Sequence, residues 1–343
     1  MQKLNIDDIA RLAFVSRSVV SRVLNNRPNV SDEARARVQK IIEQYNYRPS
    51  ATARSLATDR AYEISILVPR KKDDVLANEF WSLIYLGISE QCIKRGYFVS
   101  LTTISRGMEG HLNDKILHGH NFDGYVLISK EVAELTLPAL RKREMPAVLI
   151  GRAPDFPNLP TVNVDNVDGG YKATKHLLGL GHRHIAAITG PLHAQESLDR
   201  LHGFKNAHHE AGVPVIETLC VESEYSQKGG YEAMQRLLDH TPRLTAVFCT
   251  ADAQATGVLL ALHRAGLTTP DDVSVIGFDD LPSSRFTIPP LTTVHQPIYH
   301  MGECAADIVI DQIEGKKGEV VHTHLQADLV IRETCGPGGE CGF

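Results

Sequence analysis

Two arginines near the start of the chain, Arg17 and Arg22, lie on the polar face of a short amphipathic segment. An arginine can donate two parallel hydrogen bonds to the O6 and N7 atoms of guanine, and serine or asparagine can reach a base edge or a phosphate. The pattern also fits a surface helix with a solvated polar face, so this segment alone leaves two interpretations open. Its apolar stripe at helical spacing is Val15, Val19, Val20, Val23 and Leu24, and its polar face is Ser16, Arg17, Ser18, Ser21, Arg22 and Asn25.

The segments on either side of this helix are those that a helix-turn-helix needs. Residues 6–13 predict a short amphipathic helix with two aspartates in its first turn, as the helix dipole favours. After a polar loop, Ser31 is a strong cap for a third helix that runs to about Tyr45. Residues 1–48 therefore predict a small all-α head that reads DNA, and residues 49–60 predict a short helical linker behind it.

The charge of the chain is divided unevenly. Residues 1–60 carry 11 lysines and arginines against 6 aspartates and glutamates, a formal charge of +5, whereas the whole chain of 343 residues carries −5. A basic head on an acidic body is typical of a protein whose contact with DNA is confined to one end. No apolar run approaches the roughly 20 residues that span a bilayer, and the start shows no secretory signal. We therefore expect a cytoplasmic protein with no membrane contact.

From about Ile64 the sequence alternates apolar strands with amphipathic helices. Two such series follow one another, the second beginning near Thr161, and each predicts a parallel sheet with helices on both faces. The expected body is an α/β core of two doubly wound parallel-sheet subdomains. Two such subdomains in tandem place a cleft between them, where the carboxyl ends of the strands converge.

Aromatic and charged side chains follow directly after several strands of this body, where they would face the cleft. Aromatic rings stack on the C–H surfaces of a sugar while carboxylates and an arginine bond its hydroxyls, so the set predicts a site for a small polyhydroxylated molecule. Structural interpretations remain open: a salt bridge for Arg200 and Asp279, packing for the aromatics, and a helix cap for Asp252. The candidates are Phe80, Trp81, Glu196, Arg200, Tyr225, Asp252 and Asp279.

Enzymatic and metal-binding interpretations find little support in the sequence. The 16 histidines lack cysteine or carboxylate partners at ligand spacing. Gly179 and Gly181 end a helix rather than follow a strand, so they do not form a dinucleotide loop, and neither a G-x-S-x-G elbow nor a P-loop is present. We therefore expect no catalytic residue, no metal and no cofactor. The six cysteines, at positions 92, 220, 249, 304, 335 and 341, are expected to be free thiols.

The N-terminal segment resembles the lactose/galactose-repressor (LacI/GalR) family of bacterial transcription regulators over about 50 residues in register. The match runs through residues 6–25, Tyr45-Asn46-Tyr47-Arg48-Pro49 and Ala53-Arg54-Ser55-Leu56-Ala57. The body is also similar to the core of that family, so the resemblance extends to about Thr334. The matching body segments are 163–166, 180–186, 276–280 and 291–297.

The resemblance implies a role for each matching residue of the head. The base-reading positions are Arg17, Ser18 and Arg22, and the positions that bind the DNA backbone are Ser16, Ser21, Asn25, Ser31, Tyr47 and Arg54. A hinge helix that folds in the minor groove includes Ala53, Leu56 and Ala57, with Leu56 as the wedge between base pairs. Two residues depart from the family pattern. Phe14 replaces a glycine and must take a positive φ or reshape the turn, and Val19 replaces a threonine.

The resemblance also implies a periplasmic-binding-protein-like core with an effector in its cleft. Arg200, Asp279 and Tyr225 match effector-contacting positions, and Phe80-Trp81 matches an aromatic pair at the cleft edge. Ala251 stands where sugar-responsive members often have asparagine, which weakens a simple hexose assignment. The family topology places crossings between the subdomains near Val162, Thr292 and His324. The expected subdomains are 61–162 with 293–324 and 163–292 with 325–335, followed by a flexible tail over 336–343.

Together these features predict a cytoplasmic homodimer that represses carbohydrate-utilisation genes. One head offers few base contacts, so two heads on a palindromic operator of double-stranded DNA are expected. An effector in the cleft would change the spacing of the subdomains across the dimer and so favour or disfavour the hinge helices. The alternatives are a regulator that responds to a non-sugar metabolite, an enzyme, and a solute-binding module of a transporter. The basic head and the absence of a signal peptide disfavour the transporter module.

Overall fold

The computed structural model describes residues 4–24, 28–45, 47, 60–69, 78–104, 107, 110, 113–114, 121–240, 244–316 and 318–338 of the chain. They fall into two compact units, Met1–Tyr62 and Glu63–Phe343. The predicted hinge residues Ala53, Leu56 and Ala57 lie outside the described residues.

The first unit consists of three short helices around a small apolar core. A capping box starts the first helix, because the Asn5 side chain accepts hydrogen bonds from the amides of Asp7 and Asp8, and the Asp8 carboxylate accepts one from the Asn5 amide. Ser31 caps the third helix, as predicted, by accepting a hydrogen bond from the Ala34 amide at 3.3 Å. The helices are α1 (Ile6–Leu12), α2 (Arg17–Leu24) and α3 (Asp32–Gln44), and their core is Ile9, Ala10, Ala13, Val20, Val23, Val38 and Tyr47.

The turn between α1 and α2 contains a strained residue. Phe14 adopts a φ of 55°, in the left-handed region that glycine favours, so the turn keeps its shape and the strain falls on this residue. The Phe14 side chain is 88% exposed and therefore gains little packing to offset the strain. A hydrogen bond from the Val15 amide to the Ala10 carbonyl at 3.0 Å closes the turn.

The second unit contains two six-stranded sheets together with the helices that pack on them. Strands alternate with helices along most of the unit, as the sequence predicts. In chain order the elements are β1 (Glu63–Pro69), α4 (Glu79–Lys94), β2 (Phe98–Ile104), β3 (Gly124–Ile128), α5 (Lys130–Lys142), β4 (Ala147–Ile150), β5 (Thr161–Val164), α6 (Asn166–Gly179), β6 (Ile185–Thr189), α7 (Gln195–Glu210), β7 (Cys220–Glu222), α8 (Gln227–His240), β8 (Ala246–Cys249), α9 (Asp252–Arg264), β9 (Ser274–Asp279), β10 (Thr292–His295), α10 (Ile298–Ile313), β11 (His322–Leu325) and β12 (Asp328–Val330).

The strand order separates this unit into two lobes. The first sheet has the order β11-β5-β4-β3-β1-β2 with every pair parallel, and the second has the order β12-β10-β9-β8-β6-β7, parallel except for the pair of β10 and β12. β3, β4, β6 and β8 are buried at every residue, which is typical of parallel sheets covered on both faces. The predicted fold class is confirmed. The two sheets with their helices are named the first lobe and the second lobe.

The chain passes between the lobes slightly later than expected. β5 lies in the first sheet to Val164, β10 stays paired in the second sheet to His295, and β11 stays paired in the first to Leu325. The last residues of each of these three strands are still paired with a neighbouring strand or lie beside one. Each strand therefore continues past the predicted boundary. These ends lie one to three residues beyond the predicted crossings near Val162, Thr292 and His324.

The beginning of the predicted flexible tail is held against the second lobe. The Gly336 amide donates a hydrogen bond to the Ser274 hydroxyl at 3.0 Å. The Gly338 amide donates to the Leu180 carbonyl at 2.7 Å. Gly336 and Gly338 of the predicted tail are thus bonded to the lobe, residues 339–343 lie outside the described part of the chain, and the flexibility of the tail stays a prediction.

The described residues contain no helix with both the length and the apolar character needed to cross a bilayer. The cysteines in the described part of the chain carry free thiols, as predicted, and Cys92 and Cys249 are buried. The free thiols are those of Cys92, Cys220, Cys249, Cys304 and Cys335.

Candidate nucleic-acid interface and ligand cleft

The polar face of α2 is open to solvent. Arg17, Ser18 and Arg22 are exposed, whereas Val20 and Val23 on the opposite face are buried in the core of the head. Ser16 accepts a hydrogen bond from the Val19 amide at 3.4 Å, and the hydroxyls of Ser16 and Ser18 lie 2.8 Å apart. The structure thus brings the three predicted base-reading residues together on one accessible surface.

Arg17 has two neighbours outside α2. The Asp7 Oδ1 atom lies 3.9 Å from the Nε atom of Arg17. Burial raises the pKa of Tyr47, with the charge of Asp7 adding to the rise and the charge of Arg17 opposing it. A carboxylate, a guanidinium and a phenol therefore lie close together at the start of α2.

The positions matched to the DNA backbone are only partly described. Ser21 lies half-buried on α2, and the exposed Ser31 also caps α3. Tyr47 packs in the core of the head, with 9% of its surface exposed. Asn25 and Arg54 lie outside the described residues.

In the second lobe, Arg200 is fixed by contacts on several sides. Its Nε donates a hydrogen bond to Asn166 Oδ1 at 2.7 Å, and its Nη1 donates to the Thr250 carbonyl at 2.5 Å. Nη1 also lies 3.7 Å from Asp279 Oδ1, and the guanidinium stacks 3.8 Å above the centre of the Phe278 ring. With 5% of its surface exposed, Arg200 is a buried and rigidly oriented cation.

Asp279 completes a buried ion pair with Arg200 at the end of β9. Its backbone has a φ of 129°, and the Gln296 side chain donates a hydrogen bond to its Oδ1 at 2.5 Å. Burial raises the pKa of the Asp279 carboxyl, and the nearby Arg200 charge opposes that rise. Strained backbone that carries a buried charge at a strand end is a common feature of ligand sites.

Asp252 is placed differently from the other candidates. Its Oδ2 accepts a hydrogen bond from the Leu281 amide at 2.8 Å, and its Oδ1 accepts one from the Thr293 hydroxyl at 2.5 Å. The residue is 1% exposed, and burial together with the charge of Asp279 raises the pKa of its carboxyl. The carboxylate joins the loop after β9 to β10 and does not cap α9. This geometry favours a structural role over contact with a ligand.

Tyr225 and Glu196 lie beside this pair. The Tyr225 ring packs so closely on Gly190 that a Cβ atom there would lie 2.1 Å from it, and its hydroxyl lies 2.5 Å from that of Ser197. Burial raises the pKa of Tyr225, the charge of Arg200 opposes the rise, and the charge of Glu196 adds to it. Within the described residues Glu196 has no hydrogen-bond or ion-pair partner, so its carboxylate remains available.

The aromatic pair belongs to the first lobe. The Asn78 side chain caps α4 by accepting a hydrogen bond from the Phe80 amide at 2.9 Å. The rings of Phe80 and Trp81 meet edge to face with their centres 5.0 Å apart. Trp81 also lines a small apolar cavity with Val68 and Ile128, near the carboxyl ends of β1 and β3. The pair therefore lies at the strand edge from which the cleft is built.

Two polar contacts bridge the lobes. Arg152 follows β4 in the first lobe, and its Nη1 lies 3.1 and 3.0 Å from the carboxylate oxygens of Asp199 on α7. Glu79 begins α4, and its Oε2 accepts hydrogen bonds from the amide and hydroxyl of Ser283 in the second lobe, at 3.2 and 2.9 Å. The sequence pattern did not reveal these four residues, because each pair joins segments that are distant along the chain.

A further candidate residue, Ser129, lies directly after β3. Its backbone is strained, with a φ of 90°, and its buried hydroxyl has no hydrogen-bond partner in the described part of the chain. Buried polar groups are normally paired, so an unpaired hydroxyl at the carboxyl edge of a sheet is a candidate ligand contact. The rule that selected the other candidates, a polar residue directly after a buried strand, could have found it.

The polar groups around the cleft are a guanidinium, carboxylates and hydroxyls, with aromatic rings nearby. Such groups bind a hydroxyl-rich ligand through hydrogen bonds and stacking. Among the described residues, no group of three or more histidines, cysteines, aspartates or glutamates is arranged to hold a metal ion.

Comparison with known proteins gives matches to both units. A model described as bacterial regulatory proteins, lacI family, matches residues 5–50, and one for a periplasmic binding protein-like domain matches residues 174–335. The ribose operon repressor of Escherichia coli (strain K12) is 36% identical over 309 residues, which are 89% of this chain and 92% of the relative.

Solved structures match over nearly the whole chain. A complex of the transcriptional regulator CelR with cellobiose is 32% identical, with a TM-score of 0.75, and the match covers 96% of this chain and 99% of that one. The lac repressor dimer bound to operator and the anti-inducer ONPF is 25% identical, with a TM-score of 0.82 over 97% of this chain and 99% of that one. The matches therefore include the head as well as the two-lobed body.

Proposed function

The chain belongs to the LacI family of bacterial regulatory proteins, and we propose that it represses carbohydrate-utilisation genes from a palindromic operator, which it binds as a homodimer. A small sugar-like effector in the cleft controls its affinity for DNA. The observation that carries the proposal is the combination, in one chain, of an exposed arginine face on α2 with a two-lobed body that holds Arg200 and Asp279.

The head supplies the sequence-reading contacts in this proposal. Arg17, Ser18 and Arg22 contact base edges in the major groove, and a good bidentate contact discriminates against a wrong base by about 1–3 kcal/mol. Three such residues give limited specificity, so two heads are needed on one operator. The remaining predicted contacts position the head on the phosphates and the hinge in the minor groove. They are Ser16, Ser21, Asn25, Ser31, Tyr47 and Arg54 for the backbone, and Ala53, Leu56 and Ala57 for the hinge.

Exposed apolar side chains support the homodimer. Ile93 and Phe98 of the first lobe are 62% and 73% exposed, and Phe286 and Ile288 of the second lobe are 83% and 94% exposed. These side chains are available for a partner to cover, and large apolar residues at the centre of an interface are commonly buried in this way. A second copy of the chain on both lobes would also bring two heads together for the halves of a palindrome.

The effector site in this proposal lies between the lobes. Arg200 and Asp279 bond ligand hydroxyls, Glu196 offers a free carboxylate, and the rings of Tyr225, Phe80 and Trp81 contact the sugar faces. Glu196 disfavours a strongly anionic ligand. The complex of CelR with cellobiose supports a sugar as the class of effector. Asp252 is left out of the proposed contacts because both of its oxygens are already bonded within the lobe.

The lobe-bridging contacts suggest how the two sites communicate. Effector binding changes the balance between lobe arrangements with and without the Arg152–Asp199 and Glu79–Ser283 contacts. The positions of the first lobes across the dimer follow that balance, and the hinge helices are thereby favoured or disfavoured. Coupling free energies of this kind are typically about 1–3 kcal/mol.

The leading alternative is a LacI-family regulator that responds to a non-sugar metabolite. Ala251 favours it, since this residue cannot supply the amide that sugar-responsive members often have there. The arginine face on a basic head disfavours the solute-binding module of a transporter. The relatives compared are transcriptional regulators, which disfavours the enzyme. We expect the protein to act in the cytoplasm, where its operator is.

Selection of duplexes from a random pool by the full-length protein tests the DNA half of the proposal. We expect enrichment of palindromes whose half-sites contain guanine, bound at least about 10³-fold more tightly than random duplex at the same salt concentration. Failure to enrich any palindrome, with or without added sugars, would contradict the proposal.

A thermal-shift screen tests the effector half. The panel contains pentoses, hexoses, disaccharides, nucleobases and amino acids. A ligand present at 100 times its Kd stabilises the folded body by about 2.7 kcal/mol, which is a readily measured shift. A shift with a sugar supports the proposal, and a shift confined to a nucleobase or an amino acid would establish the alternative.

A further inference from the structure

The pairing of Asp7 with Arg17 is not explained by the fold of the head. Asp7 lies in the first turn of α1, and Arg17 is the first residue of α2. The carboxylate lies 3.9 Å from the Nε edge of the guanidinium, and the two side chains are 65% and 68% exposed. Two exposed side chains from different helices thus lie next to one another on the surface that is proposed to read DNA.

The capping of α1 does not require the Asp7 carboxylate. Asn5 and Asp8 form the capping box, and Asp8 also pairs with Arg11 at 2.7 Å. Within the described part of the chain, Arg17 is the ion-pair partner of Asp7. An ion pair this exposed contributes little to the stability of a fold. The helix dipole favours an acidic residue in this turn, but it does not account for the approach of the Asp7 carboxylate to Arg17.

We propose that Asp7 is a specificity-determining residue that positions Arg17. It holds the guanidinium by its Nε edge, so that the two Nη groups point outward and can donate to O6 and N7 of a guanine. The inference rests on the proposed base-reading role of Arg17. An arginine held in this way is less free to turn toward a phosphate, which carries no sequence information.

The charge of Asp7 weakens the attraction to the phosphates of any duplex, operator or random, by a similar factor. The ratio of operator affinity to random-duplex affinity therefore reports the positioning of Arg17 and not the charge of Asp7.

The test compares Asp7→Asn with Glu43→Gln in the full-length protein. Both variants remove one negative charge from the head, but Glu43 lies at the end of α3 and does not pair with Arg17. Fluorescence anisotropy gives Kd for the selected operator and for random duplex at one salt concentration. We expect Glu43→Gln to tighten both by a similar factor, and Asp7→Asn to lower the operator-to-random ratio about tenfold, within the discrimination of one bidentate contact.

A double-mutant cycle with Arg17→Ala isolates the coupling. In the Arg17→Ala background, Asp7→Asn should no longer change the ratio, because the residue that it positions is gone. The inference is overturned if Asp7→Asn changes the ratio no more than Glu43→Gln does, or if its effect is the same with and without Arg17. If Arg17→Ala itself leaves the ratio unchanged, the proposed role of Arg17 fails instead. Melting curves of each variant report whether the head remains folded.

Discussion

At the scale of single residues, Arg200 has the contacts that most constrain the ligand cleft. Lysine keeps the charge but lacks the planar fork that bonds Asn166 and Thr250 together. We expect Arg200→Lys to weaken effector binding roughly 10- to 100-fold, since a hydrogen bond to a charged group contributes about 1.5–3 kcal/mol. Operator binding in the absence of effector should be retained.

Calorimetric titration with the effector found by the thermal-shift screen measures this change. Arg183→Lys is the matched control, because Arg183 also bonds backbone carbonyls of the second lobe, those of Leu178 and His182. An equal loss of effector affinity in both variants would indicate general loosening of the lobe and contradict a specific role for Arg200.

The strain at Phe14 predicts a stabilising substitution. A residue other than glycine in the left-handed region is disfavoured by roughly 1–2 kcal/mol, and the exposed ring recovers little of it. Phe14→Gly should therefore raise the unfolding free energy of the head by up to about 1 kcal/mol, after the entropy that glycine gains in the unfolded chain. Urea denaturation followed by circular dichroism checks the result. Asn29→Gly, at a φ of 67°, should gain less because asparagine tolerates this region.

Asp252 predicts a pH dependence of stability in the body. Its pKa is raised by burial and by Asp279, so the folded state holds the proton more tightly than the unfolded state does. The stability that this raised pKa contributes is fully present below the ordinary carboxyl pKa of 3.8. It is lost as pH rises from there through the higher pKa of the folded state. Asp252→Asn is neutral throughout, and its amide can accept from Leu281 and donate to Thr293. Relative to the natural chain, this variant should become more stable as pH increases.

Urea unfolding at about pH 5, 7 and 9 measures that difference across the range where the shifted group titrates. Asp272→Asn serves as a control without pH dependence, because hydrogen bonds from Thr268 lower the pKa of Asp272 below its ordinary value of 3.8. Asp272 is therefore ionised in both the folded and the unfolded state from about pH 5 to 9, and the stability difference between this variant and the natural chain should stay constant over that range. A difference between Asp252→Asn and the natural chain that does not change with pH would refute the account of Asp252.

Residues whose exposure depends only on their own helix could be predicted from the sequence. The exposed face of Arg17, Ser18 and Arg22 follows from helical spacing alone, and the structure places these residues as expected. Orientation within the body could not be predicted. Whether Asp252 faces the cleft or the lobe depends on Leu281 and Thr293, which are 29 and 41 residues further along the chain.

At the scale of elements, the polar contacts between the lobes stabilise one arrangement of the cleft. Arg152 and Asp199 join β4 of the first lobe to α7 of the second. We expect Arg152→Ala to weaken effector binding about 2- to 5-fold, since Arg152 is partly exposed and such pairs contribute roughly 0.2–1 kcal/mol. Effector titration measures it.

The control variant for Arg152→Ala removes an ion pair that lies within one lobe. Lys130 pairs with Asp155 at 2.6 Å, and both residues belong to the first lobe. Lys130→Ala removes a comparable surface ion pair without affecting contact between lobes, so effector affinity should stay unchanged. If Arg152→Ala and Lys130→Ala have the same effect, the bridge does not stabilise the ligand-binding arrangement.

The elements themselves were largely predictable, because short apolar runs such as Gly124–Ile128 and Ala147–Ile150 have the length and residue types of buried parallel strands. The points where the chain passes from one lobe to the other were harder to predict. β10 continues to His295 because its backbone is still paired with β9 there, and side-chain types do not show where such a ladder stops. The contacts of residues 336–338 with the second lobe could not be predicted for the same reason, since backbone amides make them.

At the scale of the whole molecule, two sites that do not share residues have to influence each other. The arginine face of α2 belongs to the first unit, and the cleft belongs to the second. Composition predicted this division, because the basic residues are concentrated in residues 1–60. The effector identity could not be predicted, since it depends on how Arg200, Asp279 and the aromatic side chains are spaced around the ligand.

Reciprocal linkage between operator and effector decides whether the cleft controls the head. Operator Kd is measured with and without saturating effector, and effector Kd is measured with and without saturating operator, on the same dimer at one salt concentration. We expect both ratios to differ from one by the same factor, roughly 5- to 150-fold as typical coupling free energies imply. Ratios of one in both directions, with both ligands bound, would show that the cleft does not control the head.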